Sequence, residues 1–438
     1  MNPPAPASPA RRRRVPIAAR IAWWLAWVGL AVGLAVVTSV WLTPAWARRA
    51  VERAAARVEQ ATGPLEPTWQ HPELAPEDNA RTRLLAAGRA VRLDETEREL
   101  IREAARAGDP QAIAARRDEF ASLVERNREA VELLLAGAGL GNDFGGDLLD
   151  AGDDPLPGTE PELFAVTQLA VVDAHLALLA GDPGRAERVV GVLGEQAARY
   201  GEGPNQLFQV LAQGYQAGQL RLLVHVARAC REPACPERLR ALLPPQGSRD
   251  AFRRMVAGEA ELLLRRRAMT LAEVGGPLDL TNRLVLAWFD YSFAGTLDQW
   301  LKLLAGWDLE PRAMEAALAF EPGPIAKLDT FRVLFAPDWT LPGRLRTTAE
   351  ARDLAALALG LQADALRGAP CARAWPAAEA AWSYAELSPR EVTFEARDDG
   401  SCTLRRADAD FIANEFYSEF RRPPPFEWPV PPPPPAIR

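Results

Sequence analysis

Lysine is almost missing from this chain: Lys302 and Lys327 are the only two, and arginine carries the remaining positive charge. The substitution of one cation for the other runs along the whole chain, so it reads as a GC-rich bacterial coding bias and not as a binding signal. Histidine is scarce too. His71, His175 and His225 have no metal-ligand neighbour at i+3 or i+4. There is no G-x-S-x-G elbow, no H-E-x-x-H helix, no Walker A loop and no G-x-G-x-x-G after a strand, which excludes the catalytic classes those motifs serve. Net positive charge is lacking as well: the formal charge is −7, against the basic face that phosphate binding needs. Nucleic acid is therefore excluded as a partner. Val and Ile are sparse after residue 47, while Ala and Leu dominate, which favours helix over strand.

One long stretch lacks charge altogether, and it is the most informative feature present. From Ile21 to Ala47 no acidic or basic residue occurs, directly behind Arg11-Arg12-Arg13-Arg14 and Arg20. At a rise of about 1.5 Å per residue, roughly 20 apolar residues cross a hydrocarbon core of about 30 Å. Trp23, Trp24 and Trp27 near one end, with Trp41 and Trp46 near the other, match the aromatic belts of a bilayer span. The arginines before the run place the N-terminus in the cytoplasm and the bulk of the chain in the periplasm of a bacterial inner membrane. Arg48, Arg49, Arg53 and Arg57 on the far side work against that bias. Ala45-Trp46-Ala47 also fits a signal-peptidase site, but the run exceeds a signal peptide's roughly 7–15 apolar residues, so the reading is an uncleaved signal anchor. Gly29 and Gly33 form a G-x-x-x-G pair through which two copies could dimerise; small residues are also ordinary in an Ala-rich span.

The organisation that follows is a disordered basic tail over 1–20, the span over 21–47, a juxtamembrane helix and linker over 48–79, and a helical periplasmic domain over 80–370 with a break at 137–158. A C-terminal segment with a β-hairpin covers 371–420, and a proline-rich disordered tail covers 421–438. The juxtamembrane helix runs to Glu59 and stops at Gly63-Pro64. Ala80–Gly137 is helical in two stripes around Gly108-Asp109-Pro110. There Gly closes one helix, Asp caps the next and Pro takes its first position. Gly181-Asp182-Pro183 repeats the device between Leu163–Ala180 and Gly184–Tyr200. Further helices are expected over Gln206–Ala229, Pro236–Leu243, Arg249–Met269, Leu278–Leu304, Pro311–Ala319 and Thr347–Leu366. The corners are tetratricopeptide-like, but their spacing is too long for one repeat, so the body is an irregular α-helical assembly. Leu207, Val210, Leu211, Gln213, Gly214 and Leu220 mix apolar and small residues as close helix packing does. The aromatic segment Trp288, Phe289, Tyr291, Phe293, Trp300 and Trp307 is a core seam or a partner groove. Val392–Leu404 alternates on both sides of Asp398-Asp399-Gly400, the signature of a hairpin. The prolines of Arg422–Ile437 prefer an extended polyproline form with no core to join.

The four cysteines, Cys230, Cys235, Cys371 and Cys402, all lie beyond the span. An even count in an exported domain points to disulfides. Cys230 and Cys235 flank a turn-like segment and would staple a corner; Cys371 and Cys402 pair by elimination. Free thiols and a zinc site made of all four are the rivals, although C-x4-C with two scattered partners is poor zinc spacing. Asn142, Asp143, Asp147, Asp150, Asp153 and Asp154 offer oxygen ligands for calcium, but no EF-hand pattern, and a polar linker explains them equally. The histidines read as satisfied core residues. No catalytic, cofactor-binding or metal-ligating residue is assigned.

Leu169–Leu193 around Gly181-Asp182-Pro183, Leu207–Leu223, Ala349–Leu361 and Val392–Leu404 together resemble uncharacterised bacterial single-span membrane-anchored helical proteins that end in a pseudopilin-like hairpin. The likeness to pseudopilins is confined to the hairpin, since the processed Gly and the following Glu of their N-terminus are absent. The resemblance implies an anchored helical fold and carries no activity. The function expected is a non-catalytic envelope scaffold that binds other envelope proteins. An accessory subunit of a secretion or envelope-assembly machine and an envelope hydrolase with an unrecognised site are the alternatives.

Overall fold

The computed structural model describes residues 17–65, 74–141, 161–203, 205–244, 249–273, 280–308, 341–380, 387, 389–409 and 424–433. The fold is mainly helical with one small antiparallel sheet. Helix α1 runs Ile17–Thr62 without interruption, Pro44 included. It closes at Gly63, whose φ of 96° is left-handed backbone that glycine adopts at no steric cost. Of the expected span, Trp23, Trp24, Leu25, Trp27, Val28, Leu30, Val32, Leu34, Val37, Leu42 and Trp46 are all exposed large apolar side chains on this helix. Trp41 and several smaller side chains of the run fall outside the described residues, Ala47 at its end is buried, and among the described residues no helix is long and apolar enough to cross a membrane.

The region expected as two helical stripes is five short helices: α2 (Ala80–Ala90), α3 (Glu95–Ala107), α4 (Pro110–Ala115), α5 (Arg117–Arg126) and α6 (Arg128–Ala136). Local chemistry sets their ends. Asp94 and Glu97 form a reciprocal capping box at α3; Gly108 closes α3 in left-handed backbone, and Asp109 caps α4 ahead of Pro110. Asn127 separates α5 from α6. It is fully buried, accepting from Arg92 N at 2.5 Å and donating to the Leu123 carbonyl at 2.8 Å.

The second corner behaves as its sequence requires. Between α7 (Pro161–Leu179) and α8 (Pro183–Gly201), Gly181 takes φ 80° and Asp182 accepts from Arg185 N at 3.1 Å. Helix α9 (Gln206–Ala229) is capped by Asn205 and lies along α8. The tight point is Gly194, where an added Cβ would meet the Leu242 carbonyl at 2.7 Å. Gly214, expected at a close approach, faces open space instead. After α10 (Ala234–Ala241) come α11 (Arg249–Glu273), α12 (Leu280–Ala305), α13 (Leu341–Leu366) and α14 (Cys371–Ala380). The last opens the C-terminal segment, ahead of the strands. The expected helix Pro311–Ala319 and the Asn142–Asp154 carboxylates lie outside the described residues.

Two cores result. The larger joins α2–α10 to α13 and the sheet, around Ile101, Leu169, Val190, Phe208, Leu220 and Leu354. The smaller joins α1 to α11 and α12, with Val51, Ala54 and Val58 packed among Phe252, Met255, Leu297 and Trp300. The aromatic segment divides accordingly: Phe293, Trp300 and Trp307 are core, while Trp288 and Tyr291 are exposed.

The expected two-stranded hairpin is the first part of a three-stranded sheet, β1 (Val392–Ala396), β2 (Cys402–Arg406) and β3 (Glu427–Val430). β1 pairs antiparallel with β2 through Phe394 opposite Leu404, and β2 pairs with β3 through Leu404 opposite Trp428. The described part of the proline-rich segment, 424–433, therefore does join the core. Phe426, Trp428 and Val430 are buried there, which corrects the expectation of a wholly disordered tail. β2 is central, so Thr403 and Arg406 are buried along with Cys402 and Leu404.

Candidate functional site

The four cysteines stand in two pairs at disulfide distance, with Cα separations of 5.7 Å for Cys230 and Cys235 and 5.9 Å for Cys371 and Cys402. They do not converge on one centre. Among the described residues no group of three or more His, Cys, Asp or Glu could hold a metal ion, so the four-thiolate zinc alternative has no site. Cys230 is the C-cap of α9 and Cys235 lies in the first turn of α10, so the first pair closes that corner. The second pair ties the start of α14 to β2. Trp375 of α14 stacks on Phe394 of β1 with ring centroids 4.6 Å apart, and Cys371 N donates to the Gly400 carbonyl at 3.4 Å.

Below the sheet lies a buried ionic cluster. Arg406 on β2 is 2% exposed and pairs with Glu350 of α13, itself 1% exposed, and with Asp408 at 2.5 Å. Arg346 reaches the same Glu350 at 3.1 Å. One helical turn further along, Asp353 is buried and pairs with Arg352 at 2.8 Å, and Arg352 also donates to the Pro244 carbonyl at 3.2 Å. Charges in such surroundings persist only when compensated, because each loses its hydration. The cluster fixes the sheet on α13. The sequence did carry a signal: Glu350, Arg352 and Asp353 interrupt an otherwise Ala/Leu helix.

Two of the three histidines meet although 50 residues separate them in sequence. His175 of α7 and His225 of α9 form an edge-to-face pair with centroids 5.2 Å apart. His175 is 1% exposed, and its Nδ1 is buried with no hydrogen-bond partner among the described residues. Burial first, and the neighbouring His225 second, push it down to about 4; burial and Arg228 lower His225. The charged form of both rings is thus disfavoured. Elsewhere, Glu259 of α11 accepts from Gln206 N at 2.7 Å, and burial raises its carboxyl to about 7. Largely buried ion pairs join other helices: Asp173 of α7 to Arg185 of α8 at 2.6 Å, and Asp290 of α12 to Arg267 of α11 at 2.5 Å. These contacts link α7 to α8 and α9, and α11 to α9 and α12.

The remaining feature is where α1 leaves its apolar half. Trp46, Arg49, Ala50, Glu52 and Arg53 of α1 line an open cleft with Tyr291 of α12. Arg57 closes the same helix pair on Asp298 at 2.6 Å. Gly29 and Gly33, further back on α1, face open space, where an added Cβ would meet nothing within 4 Å. No family model matches this chain, and neither the curated proteins nor the solved structures contain a match.

Proposed function

We propose that this chain is a non-catalytic, membrane-anchored scaffold of the bacterial envelope, with residues 21–47 as an uncleaved span, the N-terminus cytoplasmic and the helical body periplasmic. The observation that carries the reading is the continuity of α1. The helix that bears exposed Leu25, Val28, Leu30, Val32 and Leu34 continues unbroken into the core, where Ala47, Val51, Ala54 and Val58 are buried. An anchor built this way holds its domain at a set distance and orientation from the bilayer, which suits a protein that positions others. The two cysteine pairs support an oxidising compartment. The open faces of Gly29 and Gly33 leave room for a second copy in the membrane. Membership of an envelope-assembly machine is the same scaffold with a named partner. The pseudopilin-like likeness belongs to the strands β1 and β2 alone, since β3 comes from the proline-rich segment.

A reporter that is active only outside the cytoplasm, fused after Arg438, is expected to be active in cells. Crosslinking followed by pull-down from detergent-solubilised membranes should then recover a defined set of envelope proteins. Activity confined to a cytoplasmic reporter overturns the localisation, and recovery of the chain alone overturns the scaffold.

A further inference from the structure

Met269 of α11 and Trp288 and Tyr291 of α12 are exposed apolar side chains that lie toward the proposed span. The direction of the two helices follows from contacts along their length. Phe252 stacks on Trp307 at 5.2 Å, and Arg267 binds Asp290 at 2.5 Å, so α11 and α12 run antiparallel. Arg57 meets Asp298, and Trp46 shares a cleft with Tyr291, so α12 runs parallel to α1. Going backwards along α12 from Tyr291 therefore leads toward the apolar half of α1. Trp288 lies about 4–5 Å further in that direction at the helical rise. On α11, Met269 lies just beyond Arg267 in the same direction.

Met269, Trp288 and Tyr291 are 47%, 40% and 45% exposed, and Trp46 of α1 is 57% exposed at the same level. Outside α1, the other exposed large apolar side chains among the described residues are Phe164 and Leu179. Such side chains are thus concentrated beside the span. Arg49 and Arg53, with Glu52 between them, line the same cleft as Trp46 and Tyr291, and Arg48 is exposed beside them on α1. Aromatic rings and a flexible thioether at the level where an apolar helix ends, backed by guanidinium groups, are what a phospholipid interface takes: rings at the acyl boundary, cations at the phosphates.

We propose that the α11–α12 pair is a second membrane contact, seating Met269, Trp288 and Tyr291 in the headgroup region of an acidic phospholipid surface beside the span. The body then rests on the bilayer and does not project from it on α1 alone. This inference rests on the anchor reading, and one experiment separates the two. Nitroxide labels are placed on the full chain at Met269→Cys, Trp288→Cys, Leu30→Cys and Leu179→Cys, all exposed positions. The protein is reconstituted into vesicles of phosphatidylcholine and phosphatidylglycerol in equal parts. Relaxation by oxygen, which partitions into lipid, is compared with relaxation by a water-soluble nickel chelate. The oxygen-to-nickel ratio at 269 and 288 is expected several-fold above that at 179 and below that at 30. A water-like ratio at 269 and 288 with a lipid-like ratio at 30 overturns the second contact and leaves the anchor standing. A water-like ratio at 30 overturns the anchor itself, and this inference with it.

Discussion

His175 shows what one buried side chain decides. Its ring is held neutral by burial and by His225, down to about 4 against an ordinary 6.5, and His225 is lowered in the same direction. The unfolded chain therefore binds more protons than the fold below about pH 6.5. Stability from this pair is fully present above that pH and is lost as pH falls through 6.5 toward about 4, on the order of 3 kcal/mol for His175. His175→Phe keeps the ring without the proton. Its urea-unfolding free energy is expected to fall less than that of the parent between about pH 7 and pH 4.5; an identical fall in both removes the histidine from the account. Arg406 presents the complementary case, a buried charge that must stay paired. Arg406→Ala leaves Glu350 buried with one partner fewer, at a cost of about 3–5 kcal/mol. Arg406→Met combined with Glu350→Leu should lose much less than the two single changes added together. Simple additivity in denaturant unfolding would show that the two groups are not coupled.

At the scale of elements, the C-terminal sheet depends on what it is tied to. A two-stranded hairpin is marginal alone, and a small sheet needs a packed face to be stable. Here β2 is held to α14 through Cys402, to α13 through Arg406, and to β3 through the buried Trp428. The loop closed by Cys371 and Cys402 spans 31 residues and that closed by Cys230 and Cys235 spans 5. Chain entropy then assigns on the order of 4 and 2 kcal/mol to the two bonds. Limited proteolysis should cut Cys402→Ser within residues 389–409 well before Cys235→Ser is cut at its corner. Equal cleavage rates, or a non-reducing peptide map with the crossed pairing or four free thiols, would contradict this. The Asp398-Asp399-Gly400 turn needs no such support. Gly400 supplies φ 85°, and Asp399 accepts from Ser401 N at 2.9 Å and from its hydroxyl at 2.6 Å.

Across the whole molecule, the two cores predict two responses to damage. Ala54 is fully buried where α1 meets α12, and it belongs to the smaller core. Ala54→Glu places an uncompensated charge there, an expensive change wherever no partner is at hand. Hydrogen exchange should then rise in residues 48–62, α11 and α12, while α7, α8 and α9 stay protected by the larger core. The cores do touch, since Glu259 of α11 holds the first turn of α9 and Val210 packs against the smaller core. Uniform loss of protection throughout would make the molecule one cooperative unit.

Local signals were sufficient for much of this. The Gly-Asp-Pro corners, the stop at Gly63, the Asp-Gly hairpin turn and the dominance of helix follow from backbone preferences acting within a few residues, and they appear where the sequence places them. The cysteine pairing was legible from spacing and an even count. The single corner expected inside 80–137 was not enough: the chain also breaks before the Asp94 cap, at Arg116 and at Asn127, and Asn127 is held by a bond from Arg92, 35 residues away. Only tertiary structure could decide that proline-rich residues 424–433 supply a strand. The local preference of that segment is extended, and extended backbone becomes β only when a partner such as Cys402–Arg405 lies alongside. The meeting of His175 with His225, the burial of Arg406 against Glu350 and the level at which Trp288 faces outward are likewise long-range outcomes. They depend on which helix packs against which, a matter of apolar area and shape summed over the whole chain, and no window of sequence contains both sides of the contact.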